Sequence, residues 1–185
     1  MKKIYEINIL ENKKLIWRLN LGAFILLILF VPLFTFMTNL VLAGQLTSAT
    51  IELQWILYFP LFYILLLFIH EGIHGFFFKR FSPENPVKYG FKWDAMMAYA
   101  TSPGSLYHRK QFIVIGLAPF VLISLALTLG LMIGWISAPF YILLASTHAA
   151  SCVGDFYYAY LLLVKFAKVD IRVEDTETGI LIYQA

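Results

Sequence analysis

Four long runs of apolar residues dominate the chain, at about 21–43, 55–78, 111–135 and 138–164. A helix needs about 20 apolar residues to cross roughly 30 Å of bilayer hydrocarbon, and each run is long enough. The first run follows a polar segment and is longer than the apolar part of a cleaved signal peptide, so it is predicted to be retained. The pattern predicts a mainly α fold, a four-helix transmembrane bundle in a single integral membrane domain over residues 1–185.

Outside these runs, short stretches alternate between apolar and polar residues. The alternation covers 5–9, 87–93 and 169–173, and the last stretch leads through turn residues at 175–179 into a second apolar stretch at 180–183. A period of two bounded by turn residues is typical of half-buried strands and hairpins. We therefore predict small β-strands on the cytoplasmic side: an N-terminal strand, strands within the 86–106 loop, and a C-terminal hairpin.

The composition supports a membrane protein. Hydrophobic residues make up 61% of the chain and charged residues only 14%, with a mean hydropathy of +0.77. Soluble domains are nearer half apolar and a quarter charged, so a soluble globular class is excluded. The single cysteine, Cys152, excludes an intrachain disulfide, and its apolar surroundings indicate a small core residue.

The basic residues predict the topology. All fourteen Lys and Arg lie in the N-terminal segment, in the loop 79–110, or in the C-terminal segment that begins at Lys165, whereas the connectors 44–54 and 136–137 contain none. By the positive-inside rule, both termini, the long loop and the tail 166–185 are cytoplasmic, in a multi-pass protein of the cell membrane. Because these charges flank apolar runs, the predicted partner is the lipid bilayer, and nucleic acid is excluded.

Five ionisable side chains interrupt the second and fourth runs: His70, Glu71, His74, His148 and Asp155. An Asp at the centre of a membrane helix costs roughly 2.5–3.5 kcal/mol on insertion scales. Such residues usually mark a functional site and need a compensating interaction. A bound divalent cation would supply one.

The segment His70–His74 has the spacing of a zinc peptidase motif. Two histidines four residues apart lie on one face of a helix, where they can share one tetrahedral metal. Glu71 lies about 100° further round the helix, so it can reach a water on the metal without being a ligand, as a general base requires. The predicted metal is Zn²⁺, although imidazole also suits copper, nickel and iron. In the alternative, both histidines bond only to neighbouring helices.

A catalytic zinc needs a third protein ligand, for which depth in the membrane favours Asp155. His70 and His74 precede Lys79, the basic end of their span, by nine and five residues, which corresponds to roughly 8–14 Å. Asp155 precedes Lys165 by ten residues, or about 15 Å, on a span that runs in the same direction. Alternatively, Asp155 only orients a histidine from outside the ligand set.

Two further residues of the fourth run are candidates for substrate contact or for support of the ligands. His148 lies on the same helical face as Asp155 but about 10 Å further from the cytoplasmic end, where it either contacts substrate or has a structural role. Ser151, one turn from Asp155, either hydrogen-bonds that carboxylate or bonds to its own helix backbone.

These motifs resemble the site-2-protease type of intramembrane metalloprotease, which pairs a membrane-embedded His-Glu-x-x-His helix with an Asp from a later span. The chain is most similar to the small bacterial membrane proteins of the putative zincin peptidase family. His70, Glu71 and His74 match the first motif and Asp155 the second, which implies Zn²⁺ and a bacterial cell membrane. The chain departs from the family pattern at Val153–Phe156, where Leu-Asp-Gly is usual, and it lacks the preceding Asn and Pro.

The resulting functional prediction is a zinc metalloendopeptidase of the HExxH type that cleaves membrane-spanning or membrane-associated peptides inside the bilayer. Strand 87–93 offers an edge for pairing with extended substrate, or else only caps the bundle. One alternative is a non-proteolytic metal-binding membrane regulator or an inactive peptidase relative. Another is a small transporter that uses the intramembrane His and Asp as ion sites.

Overall fold

The computed structural model describes residues 1–44, 53–93 and 97–185. Within these ranges the chain forms five α-helices: α1 (Lys13–Val41), α2 (Leu53–Phe81), α3 (Arg109–Met132), α4 (Ala138–Ser151) and α5 (Val153–Tyr160), the last followed by a π-helical turn at Leu161–Lys165. Most of the predicted connector 44–54, and residues 94–96 of the predicted 86–106 loop, lie outside the described residues.

Three helices, α1, α2 and α3, are long and apolar enough to cross a membrane. Their large side chains are directed outward in many places: Phe24, Ile28 and Phe68 are all more than half exposed. A soluble protein would leave few such side chains in contact with water, whereas lipid chains accommodate them. The chain is therefore a membrane protein with a mainly helical fold.

The predicted fourth span, 138–164, is not one continuous helix. Helix α4 has 14 residues and α5 has eight, and the chain leaves helical geometry between them at Cys152. At this point the carbonyl of His148 accepts hydrogen bonds from the Ser151 hydroxyl at 2.7 Å and from the Cys152 backbone N–H at 3.3 Å. Side-chain donors that compete for a helix carbonyl bend helices. The predicted four-helix bundle is therefore not confirmed.

The predicted small antiparallel strands are confirmed. One sheet has four strands in the order β1 (Lys2–Asn8), β6 (Gly179–Gln184), β5 (Ile171–Thr176) and β4 (Tyr107–His108). The other is a hairpin of β2 (Lys88–Lys92) and β3 (Met97–Thr101). Since Lys2 pairs with Gln184, the two ends of the chain lie side by side. The cytoplasmic location of these termini stays a prediction.

The described residues group into two compact units, and the single membrane domain stays a prediction. The first unit comprises Met1–Leu19, Phe68–Pro119 and Gly154–Ala185. Alternate residues along the strands of the four-stranded sheet contribute to its core, among them the buried Ile7, Val173 and Ile182. The alternation in the sequence thus reports one buried face of this sheet.

An arginine holds the start of α3 to the C-terminal segment within the first unit. The guanidinium of Arg109 donates to the carbonyls of Phe166 at 2.7 Å, Ala167 at 3.0 Å and Val169. These carbonyls follow the π-helical turn, and that of Phe166 also accepts the backbone N–H of Val169 at 3.1 Å. A cation at a helix C-terminus also interacts favourably with the helix dipole. Arg109 thereby fixes the segment that connects α5 to β5.

The second unit comprises Asn20–Leu67 and Phe120–Val153. Its packing is largely aromatic: Phe34 meets Tyr141 edge to face at 5.7 Å, and Trp55 lies 4.9 Å from Phe140. The Tyr141 hydroxyl is hydrogen-bonded to that of Thr128 at 2.9 Å. This bond satisfies two polar groups in an apolar setting, where unpaired groups are costly.

Candidate metal centre

Helices α2 and α5 bring three predicted ligands together within the first unit. The Nε2 atoms of His70 and His74 lie 2.9 Å apart. The carboxylate of Asp155, in the first turn of α5, lies 3.4 Å from Nε2 of His70 and 3.5 Å from Nε2 of His74. Both histidines are buried and the Asp155 side chain is 18% exposed. The structure thus brings Asp155, which the residue counts favour as the third ligand, close to both histidines.

This cluster fits a zinc ion in both geometry and donor type. Ligand atoms at 2.0–2.2 Å in a tetrahedral site are about 3.3–3.5 Å apart, which matches the two His–Asp distances. The His–His distance would widen by a few tenths of an ångström. Two imidazoles and one carboxylate form the three-ligand set of many catalytic zinc sites, in which the fourth position stays open. The three residues could therefore hold a metal ion with room for a reactant.

The protonation of His74 is set by a backbone carbonyl. Its Nδ1 lies 2.9 Å from the carbonyl oxygen of Ile115 in α3. A carbonyl oxygen can only accept, so Nδ1 carries the proton and Nε2 presents its lone pair. That lone pair is directed at the side where His70 and Asp155 lie. A carboxylate that merely oriented a histidine would bond the nitrogen away from the metal. Because Asp155 faces Nε2, its position favours a role as a metal ligand.

Glu71 is held by the β2–β3 hairpin. Its carboxylate accepts a hydrogen bond from the backbone N–H of Ala100 in β3, and it interacts electrostatically with both His70 and Asp155. In the register of the hairpin, Ala100 is opposite Tyr89. Because its N–H bonds to Glu71, that group points out of the hairpin, at the edge of β3 that does not pair with β2. The general-base candidate therefore lies beside a strand edge.

The hairpin also contacts α2 one residue beyond His74. A Cβ atom at Gly75 would overlap the hydroxyl of Tyr89, whereas a Cβ at Gly72 would meet open space among the described residues. Gly75 is therefore the position that lets β2 approach the helix carrying the site.

Replacing Gly75 with Ala is expected to displace the Tyr89 ring and destabilise the protein by about 1 kcal/mol, the lower end for overpacking, because this tyrosine is largely exposed and can swing away. Gly72→Ala is the matched control and should be neutral or slightly stabilising, since Ala favours a helix. Thermal unfolding in detergent measures both. In a Tyr89→Ala background the destabilisation by Gly75→Ala should vanish. If the two substitutions instead changed the stability additively, the contact between Tyr89 and Gly75 would be contradicted.

Asp175 of β5 is a site neighbour that the sequence interpretation missed. Burial raises the pKa of its carboxyl well above its usual range. A hydrogen bond with Thr101 opposes this rise in pKa, and the negative charges of Glu71 and Asp155 add to it. The signal was present in the sequence, because Asp175 has the same parity along β5 as the buried Ile171 and Val173.

His148 and Ser151, the two further candidates, belong to the second unit. His148 is fully buried, and its Nε2 lies 4.0 Å from the sulfur of Cys152. The Ser151 hydroxyl donates to the backbone carbonyl of His148. Of the two roles predicted for Ser151, this bond corresponds to the one with its own helix backbone. A substrate role for His148 stays a prediction.

Comparison with known proteins gives one family. The sequence model of the family described as “Putative zincin peptidase” matches residues 63–169, a range that contains α3, α4 and α5 as well as His70–His74. No curated protein matches the chain, and no solved structure does either.

Proposed function

The chain belongs to the family described as “Putative zincin peptidase”, and we propose that it is a zinc-dependent endopeptidase that cleaves membrane-spanning or membrane-associated peptides within the bilayer. One observation carries the proposal: the Nε2 atoms of two histidines and the carboxylate of Asp155 converge to within 3.5 Å of one another, with Glu71 beside them. Three apolar helices of membrane-spanning length support the location.

Each residue of the site has a separate task in this proposal. His70, His74 and Asp155 would hold the zinc ion, which supplies a Lewis acid for the scissile carbonyl and makes water a nucleophile near neutral pH. Glu71 would take a proton from the attacking water and give it to the leaving amine. The hydrogen bond from the Ala100 N–H would help to orient the Glu71 carboxylate towards the reactants.

The outer edge of β3 is suited to an extended substrate. The hairpin has two strands, so among the described residues this edge has no neighbouring strand. Unpaired N–H and C=O groups at such an edge can bind a peptide as an added strand. Strand addition would also unwind a helical substrate, whose carbonyls are otherwise engaged in its own hydrogen bonds. Because Ala100 belongs to this edge and bonds to Glu71, the proposed substrate strand would run past the general base.

Chelation is expected to stop this activity reversibly. Isolated membranes that contain the protein would be incubated with and without 1,10-phenanthroline, and newly formed peptide termini would be mapped by mass spectrometry. Chelation should remove the new termini, and added zinc should restore them. Purified protein should carry about one zinc per chain, since His70, His74 and Asp155 form one three-ligand set. Bound zinc without chelator-sensitive termini would instead support a non-proteolytic regulator, and zinc flux into liposomes would support a transporter.

A further inference from the structure

A proline in α3 leaves one backbone carbonyl without its helical donor. In an α-helix the N–H of each residue bonds to the carbonyl four residues earlier, and proline has no N–H. Pro119 lies inside α3, so it cannot bond to the carbonyl of Ile115. Ile115 is almost completely buried. The carbonyl is thus an acceptor in an apolar part of a membrane helix, where water is not available to bond to it.

His74 is the partner of that carbonyl, through its Nδ1 at 2.9 Å. The pairing satisfies both groups. The carbonyl gains a donor in place of the missing N–H, and the imidazole is held in the tautomer that leaves the Nε2 lone pair available. This lone pair lies on the side of His70 and Asp155, as the 2.9 Å and 3.5 Å distances show.

We propose that Pro119 is a positioning residue of the metal centre. By withholding an N–H from the Ile115 carbonyl, it reserves this acceptor for His74 and thereby sets the tautomer and ring orientation of a ligand on another helix. Partners that orient a metal-binding histidine typically contribute 10–100-fold to metal affinity. This role rests on the proposed function in one respect, since it supposes that the centre binds a metal.

Substitution by alanine tests this role without weakening the helix. Pro119→Ala restores an N–H that competes for the Ile115 carbonyl, and in a helix interior Ala is much more favourable than Pro. A carbonyl has two lone pairs, so His74 would retain part of its hydrogen bond. We therefore expect zinc affinity, measured by competition with a chelator in detergent, to fall about tenfold. A fall in affinity in a protein that is equally or more stable cannot be attributed to unfolding.

A substitution series separates hydrogen bonding from packing. Ala, Val and Leu at position 119 all restore the N–H, so all three should lower the affinity by a similar factor. A loss that followed the size of the side chain would overturn the proposal. Pro32→Ala in α1 and Pro60→Ala in α2 are matched controls, because each removes a helix proline that belongs to the second unit. Both should leave zinc affinity unchanged.

The tautomer of His74 gives a readout that needs no metal. In metal-free protein, ¹⁵N chemical shifts of the imidazole should report a proton on Nδ1 in the wild type and a mixture of tautomers in Pro119→Ala. An unchanged tautomer together with unchanged zinc affinity would overturn the positioning role and leave the peptidase proposal intact. If the wild type bound no zinc, the peptidase proposal would fail, whereas the tautomer measurement would still decide the role of Pro119.

Discussion

Replacing Glu71 with Gln is expected to lower peptide-bond cleavage by about 10²–10⁴-fold, the usual contribution of a general base. Glutamine has the same length and keeps an oxygen that can accept the Ala100 N–H, so the local structure should persist. It cannot take up a proton from water. Because Glu71 is not among the three converging side chains, zinc content should stay near that of the wild type. New peptide termini in membranes and zinc per chain measure the two quantities.

Glu6→Gln is the matched control for this variant. Glu6 is exposed in β1, where it forms an ion pair with Lys3 at 2.6 Å, and such surface pairs contribute little to stability. The control introduces the same chemical change away from the site and should leave both cleavage and zinc content unchanged. Cleavage at the wild-type rate by Glu71→Gln with zinc bound would exclude Glu71 as the general base.

The parts of the site that follow from local geometry could be predicted from the sequence. The four-residue spacing of His70 and His74 places two rings on one face of any helix, and this needs no knowledge of the fold. Asp155 could be selected because burial in a membrane makes a carboxylate costly and because residue counts measure depth along a helix. The strands could be predicted because a period of two reports a half-buried sheet.

The remaining features depend on which elements become neighbours. At the break at Cys152 the Ser151 hydroxyl shares the His148 carbonyl with the Cys152 backbone N–H, and the apolar pattern of the run does not predict where such a break falls. The hairpin contact of Tyr89 with Gly75, and the bond from Ala100 to Glu71, require that the loop folds back onto α2. The role of Pro119 likewise depends on neighbouring elements. Its sequence position tells which carbonyl is freed, but only the packing of α3 shows that His74 uses it.

Removing the Asp155 carboxylate is expected to lower zinc affinity by at least about a hundredfold, the upper limit for partners that act from outside the ligand set. Two histidines would remain, and a catalytic zinc site normally needs three protein ligands. Asp155→Ala and Asp155→Asn should both show this loss, because a neutral amide is a weaker ligand than a carboxylate. Competition with a chelator measures the affinity, and cleavage should disappear with the zinc.

Asp170→Asn is the control, since its side chain is 81% exposed and pairs only loosely with Arg172, at 3.3 Å. X-ray absorption of the zinc-loaded protein distinguishes the two possible roles of Asp155. A ligand role requires that Asp155→Ala removes one oxygen from the first coordination shell. An unchanged shell with a loss of only about tenfold would make Asp155 an orienting residue instead. That result would conflict with its position, because the carboxylate faces the Nε2 atoms, whereas Nδ1 of His74 is already bonded to Ile115.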